Sequence, residues 1–189
     1  MTIEANIEDG GRMNPWRIAA WSLAALLLLL PLVAMQFTAE VNWTASDFVF
    51  AGVLIGSVGL ALELAVRMSR NRAYRAAIGF ALAAAFLILW SNGAVGMIGD
   101  EDNSYNLLFL GIIGLALLGS IAARFRAAAM AHTMIAAAVA HLAVALGGLS
   151  TDGHGAVLSA AFAGLWLLSA ALFRKAAREA KATGSAQKG

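Results

Sequence analysis

Residues 67–102 read RMSRNRAYRAAIGFALAAAFLILWSNGAVGMIGDED, and the order of residue types in this stretch decides the fold. Arg67, Arg70, Arg72 and Arg75 come first, Ala76 to Ile98 carries no charge, and Asp100, Glu101 and Asp102 follow. A helix needs roughly 20 mainly apolar residues to cross about 30 Å of hydrocarbon, and this run is long enough. Ala81 to Leu89 is continuously apolar, without the alternation that marks a barrel strand, so the span is expected to be helical. Cations at one end and carboxylates at the other also give it a direction, because Lys and Arg beside a span are retained on the cytoplasmic side.

The same pattern repeats outward in both directions. Five further apolar runs extend over Trp16 to Gln36, Asp47 to Val66, Asn106 to Ala123, Ala128 to Leu146 and Ala156 to Phe173. Arg12 and Arg17 border the first; Arg124 and Arg126 follow the fourth; Arg174, Lys175, Arg178, Lys181 and Lys188 follow the sixth. With the four arginines quoted above, these make up all 13 Lys and Arg residues. The alternate breaks hold Glu40 with Asp47, then the Asp100 to Asp102 triplet, then Asp152, and no cation. The expected fold is therefore all-α: a polytopic membrane bundle of six transmembrane helices, arranged up and down as three hairpins, with both ends in the cytoplasm. The expected location is a bacterial inner membrane, crossed several times.

Composition agrees. The chain is 61% hydrophobic and only 13% charged, about half the charge of a soluble domain, and its mean hydropathy is +0.78. A net charge of +2, with the cations in separate clusters, does not mark a nucleic-acid-binding face. Without cysteine the chain has no disulfide, zinc-thiolate site, iron–sulfur cluster or thiol nucleophile. Residues 15–173 form the membrane domain. Residues 1–14 read as a disordered cytoplasmic segment, and residues 174–189 as a basic tail continuing the last helix. Its cations are expected to meet anionic lipid at about 1 kcal/mol each. The first span resembles a signal peptide in charge and length but lacks an obvious small-x-small cleavage site, so it is expected to stay as an anchor.

Helix starts on the acidic side carry caps, in Ser46 with Asp47, Asn103 or Ser104, and Thr151 with Asp152. Trp16, Trp21, Phe37, Trp43, Tyr74 and Tyr105 fall near span ends, at the depth of the headgroups. Gly52, Gly56 and Gly59, the Gly93 to Gly99 series, and Gly111 with Gly114 read as seams where helices approach closely.

Few residues suggest chemistry. Glu63 is the one acid inside a span, which makes it a functional candidate, but Arg67 at i, i+4 offers an intrahelical partner. Asn92 and His141 are the other intramembrane polar candidates. His132 and His141 lie on opposite faces of one helix, and no other span has a histidine to face them, so no haem or other cofactor is expected. Asp100, Glu101, Asp102 and Asn103 are hard-oxygen donors of the kind calcium prefers, without the spacing of an EF-hand. The simpler reading is a solvated turn capped by Asn103. Asp152 and His154 would join it only if the two loops meet. No zincin, nucleophile-elbow or Walker pattern is present.

Asp47-Phe48, the glycines and Glu63 of the second span, Tyr74-Arg75, Trp90-Ser91-Asn92 to Gly99, Glu101-Asp102-Asn103 to Asn106-Leu107, and Ala123-Arg124-Phe125-Arg126 together carry a resemblance. Over residues 47–131 the chain resembles a family of short bacterial polytopic membrane proteins that has no assigned function. In that family the turn reads Gly-Ser-Glu-Asp-Asn-Pro; here Asp100 stands for the serine and Ser104 for the proline. The resemblance implies a membrane bundle with a helix beginning after Asn103, and it implies no activity.

The expected role is structural or accessory. The alternative is a small cation- or proton-coupled transporter or channel using Glu63, Asn92 and the acidic turn at Asp100, Glu101 and Asp102, and a membrane-embedded enzyme ranks third. The expected partners are the bilayer and its anionic lipids on the cytoplasmic side; a second copy of the chain or a membrane partner protein stays open.

Overall fold

The computed structural model describes residues 15–186, so the expected N-terminal segment 1–14 and Lys188 lie outside the described residues. All regular structure in this range is helical. Six helices are long and apolar enough to cross a membrane: α1 Pro15–Ala34, α2 Ala45–Met68, α3 Arg72–Ala94, α4 Leu107–Ala122 with a 3-10 turn at Ser104–Asn106 before it, α5 Ala127–Gly147 and α6 Gly153–Ala186. The chain is thus a multi-pass membrane protein by architecture.

Two compact units divide between Gly59 and Leu60, within α2. In the first, α1 and the start of α2 run antiparallel. Leu28 lies against Gly52, and Trp21 covers Gly59, where a methyl group would come within 2.9 Å of the indole. Pro15 opens α1, a position where its missing N–H costs nothing. Thr44 caps α2, and Asp47 reaches back to the Thr44 amide at 2.7 Å. The cap therefore falls two residues before the expected Ser46, while Asp47 plays the expected part.

The second unit is built around α6, which packs between α3 and α5, with α4 against the other side of α5. Neighbouring helices are antiparallel, but α3 leans on α6 rather than on α4, its neighbour in sequence. The interior combines small and large residues. Ala77, Ala84, Ala137, Ala138 and Ala163 let the helices close up, while Ile88, Phe109, Met134, Trp166 and Phe173 fill the remaining space. Leu117, Leu118, Val139, Val157 and Leu158 point outward. An apolar exterior of this kind is stable only against hydrocarbon.

The arginine-bearing end is closed by polar ties. Asn71 caps α3 by accepting from the Tyr74 amide, and its Nδ2 donates to Glu179 at 2.7 Å. The Tyr74 hydroxyl donates to the Phe125 carbonyl at 2.8 Å, and its ring packs edge-on against Phe173. Arg75 donates to the Ser69 and Val66 carbonyls, answering the free acceptors at the end of α2. Midway, Ser169 donates to the Ala77 carbonyl at 2.8 Å and joins α6 to α3.

Several boundaries differ from the sequence expectation: α3 begins at Arg72 rather than Ala76 and α6 at Gly153 rather than Ala156, and two ends differ for clear reasons. The third span ends at Ala94 rather than Ile98, because Gly96 and Gly99 take positive φ values of 79° and 72° and turn the chain. The last helix continues unbroken to Ala186. At 34 residues it is about 51 Å long, so the basic segment prolongs it well past a hydrocarbon core of about 30 Å.

Candidate functional site

Local sequence chemistry makes the segment between α3 and α4 polar, with three carboxylates and two asparagines in twelve residues. Residues 95–106 leave the helix at Val95, turn at the two glycines, and return through the 3-10 turn. Asn106 organises this path. Only 5% exposed, it accepts from the Met97 and Ile98 amides at 3.1 and 2.8 Å and donates to the Asp100 carbonyl at 2.8 Å. Asn103 donates to the Ile98 carbonyl at 2.9 Å and accepts from the Tyr105 amide at 3.0 Å, so the expected cap is in place.

The segment then docks on the α5–α6 turn. The Tyr105 hydroxyl donates to the Val144 carbonyl at 2.7 Å and sits where a side chain at Gly147 would be. Ile98, fully buried, covers Gly148, and the Met97 carbonyl lies over Gly155. Asp152 joins the two loops: Oδ2 accepts from the Gly99 amide at 3.1 Å and Oδ1 from the Gly155 amide at 2.9 Å. These amides, Gly155 first and Gly99 next, hold the carboxyl below its ordinary 3.8, with the His154 amide and ring charge adding to the effect.

The loops therefore meet, as a calcium site would need, but their donors serve other purposes. Asn103 spends its amide on the turn, Asp152 spends both oxygens on backbone amides, and Asp100, Glu101 and Asp102 are exposed. Among the described residues no group of three or more His, Cys, Asp or Glu side chains is placed to hold a metal ion.

The three intramembrane candidates stay apart, Glu63 and Asn92 bonding within their own helices and His141 across to the next. Glu63 accepts from Arg67 at 2.7 Å across one turn of α2. Asn92 donates to the Ile88 carbonyl on its own helix at 3.1 Å. His141 is completely buried between α5 and α6, edge-on to Phe109, with Nε2 at 2.9 Å from the Ser159 carbonyl and 3.2 Å from its hydroxyl. A carbonyl only accepts, so this nitrogen carries the proton and the imidazole joins the two helices. His132 is exposed on the opposite face, as the nine-residue spacing requires.

Asn106 and Tyr105, which do most to hold the segment, carry no functional signal in the sequence. Asn106 stands at the start of an apolar run, where a polar residue reads as a boundary. Its one clue is the pair of positive-φ glycines upstream, whose turn leaves two amides in need of an acceptor. Gly56, Gly111 and Gly114, expected to form packing seams, face open space: among the described residues nothing beyond the helix's own backbone and the chain neighbours lies within 4 Å of where a Cβ would stand at these positions.

Comparison with protein families, with curated proteins and with solved structures finds no match to this chain.

Proposed function

We propose that this chain is a non-enzymatic, structural or accessory protein of a bacterial inner membrane, with its arginine-bearing ends and both termini in the cytoplasm. The observation that carries this reading is the local pairing of Glu63 with Arg67 at 2.7 Å. A cation- or proton-coupled transporter would turn its intramembrane acid toward a pathway, whereas this carboxylate is neutralised within its own helix. His141 supports the same reading, since it joins α5 to α6, and Asn92 donates within its own helix. The alternation of thirteen cations with acidic breaks supports the orientation. On the cytoplasmic side, Arg174, Lys175, Arg178 and Lys181 on the overhanging part of α6 would face anionic headgroups. The resemblance over residues 47–131 fits this role and adds no activity to it.

The test is pH-dependent cation flux in proteoliposomes holding either the natural chain or Glu63→Gln. No flux above empty liposomes for either protein is the expected result. Flux in the natural chain that Glu63→Gln abolishes would replace the accessory reading with the transporter.

A further inference from the structure

We propose that Asp152 is an acid-releasable strap, whose ionised carboxylate holds residues 95–106 on the α5–α6 turn and whose protonation lets that segment lift. The geometry sets this contact apart from the other ties on the segment. Asp152 joins parts of the chain 53 residues apart, accepting from Gly99 on one side and from Gly155 at the start of α6 on the other. The second tie across the same gap, from the Tyr105 hydroxyl to the Val144 carbonyl, does not change with acid. Asn103 and Asn106 act within the segment itself and do not titrate.

The ionisable groups on the surrounding elements are few. The turn contributes His154, whose positive form favours the carboxylate. The docked segment contributes Tyr105 and the exposed Asp100, Glu101 and Asp102, and the last turn of α5 contributes none. Both amides bind the charged form, so the folded-state value of Asp152 is depressed. A depressed carboxylate stabilises the fold above its ordinary value and loses that contribution as pH falls through the folded value. The strap is therefore closed in neutral and mildly acidic surroundings and opens below 3.8. Opening uncovers Met97 and Ile98, both buried, together with Gly147 and Gly148 at the end of α5. An apolar surface then appears on the face opposite the arginines, in response to strong acid on that face.

Amide hydrogen exchange on the full chain in lipid nanodiscs tests the proposal, at about pH 7 and about pH 2.5, after correction for the intrinsic pH dependence of exchange. In the natural chain, protection over residues 97–99 is expected to fall severalfold on acidification while Ala84 and Ala137 stay protected. Asp152→Ala is expected to exchange rapidly at residues 97–99 already at neutral pH, with no further response to acid. Tyr105→Phe should keep the acid response. Asp152→Asn retains an acceptor that does not ionise, and its protection is expected to be independent of pH, which gives a readout if the alanine variant does not fold. An undiminished acid response in either Asp152 variant, or equal neutral-pH protection in Asp152→Ala and the natural chain, would overturn the proposal.

Discussion

Replacing Asn106 with alanine removes the side chain on which the path of residues 95–106 depends. The variant loses an acceptor shared by the Met97 and Ile98 amides and a donor to the Asp100 carbonyl. Ile98 is fully buried and Met97 is 6% exposed, so water does not readily take over those bonds. A buried donor left without a partner costs about 1–3 kcal/mol, and the two amides share one oxygen, so the sum falls short of twice that figure. The expected loss is about 2–4 kcal/mol, a factor of about 30 to 900 in the folding equilibrium. Reversible unfolding in mixed micelles, followed by tryptophan fluorescence, measures it directly. Asn106→Asp, which keeps the acceptors and loses the donor, should fall between the alanine variant and the natural chain. A change within about 0.5 kcal/mol for Asn106→Ala, the range of an ordinary surface substitution, would refute the idea that this residue organises the segment.

Three further substitutions separate the contacts. Gly147→Ala places a methyl group on the Tyr105 hydroxyl and should cost about 1–3 kcal/mol in the same unfolding assay, with part of the loss relieved when Tyr105→Phe is added. His141→Ala removes a completely buried ring and its bond to Ser159, for an expected loss of about 2–4 kcal/mol, while His132→Ala on the exposed face should stay within about 0.5 kcal/mol. Ser169→Ala breaks the link to the Ala77 carbonyl, and interhelical bonds of this kind average about 0.6 kcal/mol in membrane proteins, so a loss above about 2 kcal/mol would show that Ser169 does more than join two helices.

The helices were legible in the sequence because hydrocarbon imposes a simple rule: an uninterrupted apolar run of sufficient length has few alternatives to a helix. Asp47, Asn103 and Asp152 were legible as caps for a similar reason, since a short acceptor beside free amides has an obvious use. Glu63 and Arg67 met as their spacing implied. The end of α3 was less visible. Met97 and Ile98 are apolar and extend the run, yet they are buried by a loop folding over the bundle rather than by the span itself. Tertiary contacts decided that boundary, and hydropathy does not register them. The docking of residues 95–106 on Asp152 was equally hidden, because it depends on Gly147, Gly148 and Gly155 leaving room for Tyr105, Ile98 and the Met97 carbonyl. The pairing of α3 with α6 likewise brings together alanine-rich helices, and α5 is as rich in alanine as either, so composition does not select the partner.

The chain has no cysteine, so single cysteines report position without background. Ser104→Cys marks the acidic end and Ser185→Cys the overhang of α6, both at exposed positions. Labelling with a membrane-impermeant maleimide in intact cells should modify the first, and the second only after the membrane is permeabilised. Equal labelling of both in intact cells, or recovery of the chain in the aqueous fraction without detergent, would contradict a six-span protein whose arginine-bearing ends share one side of the membrane.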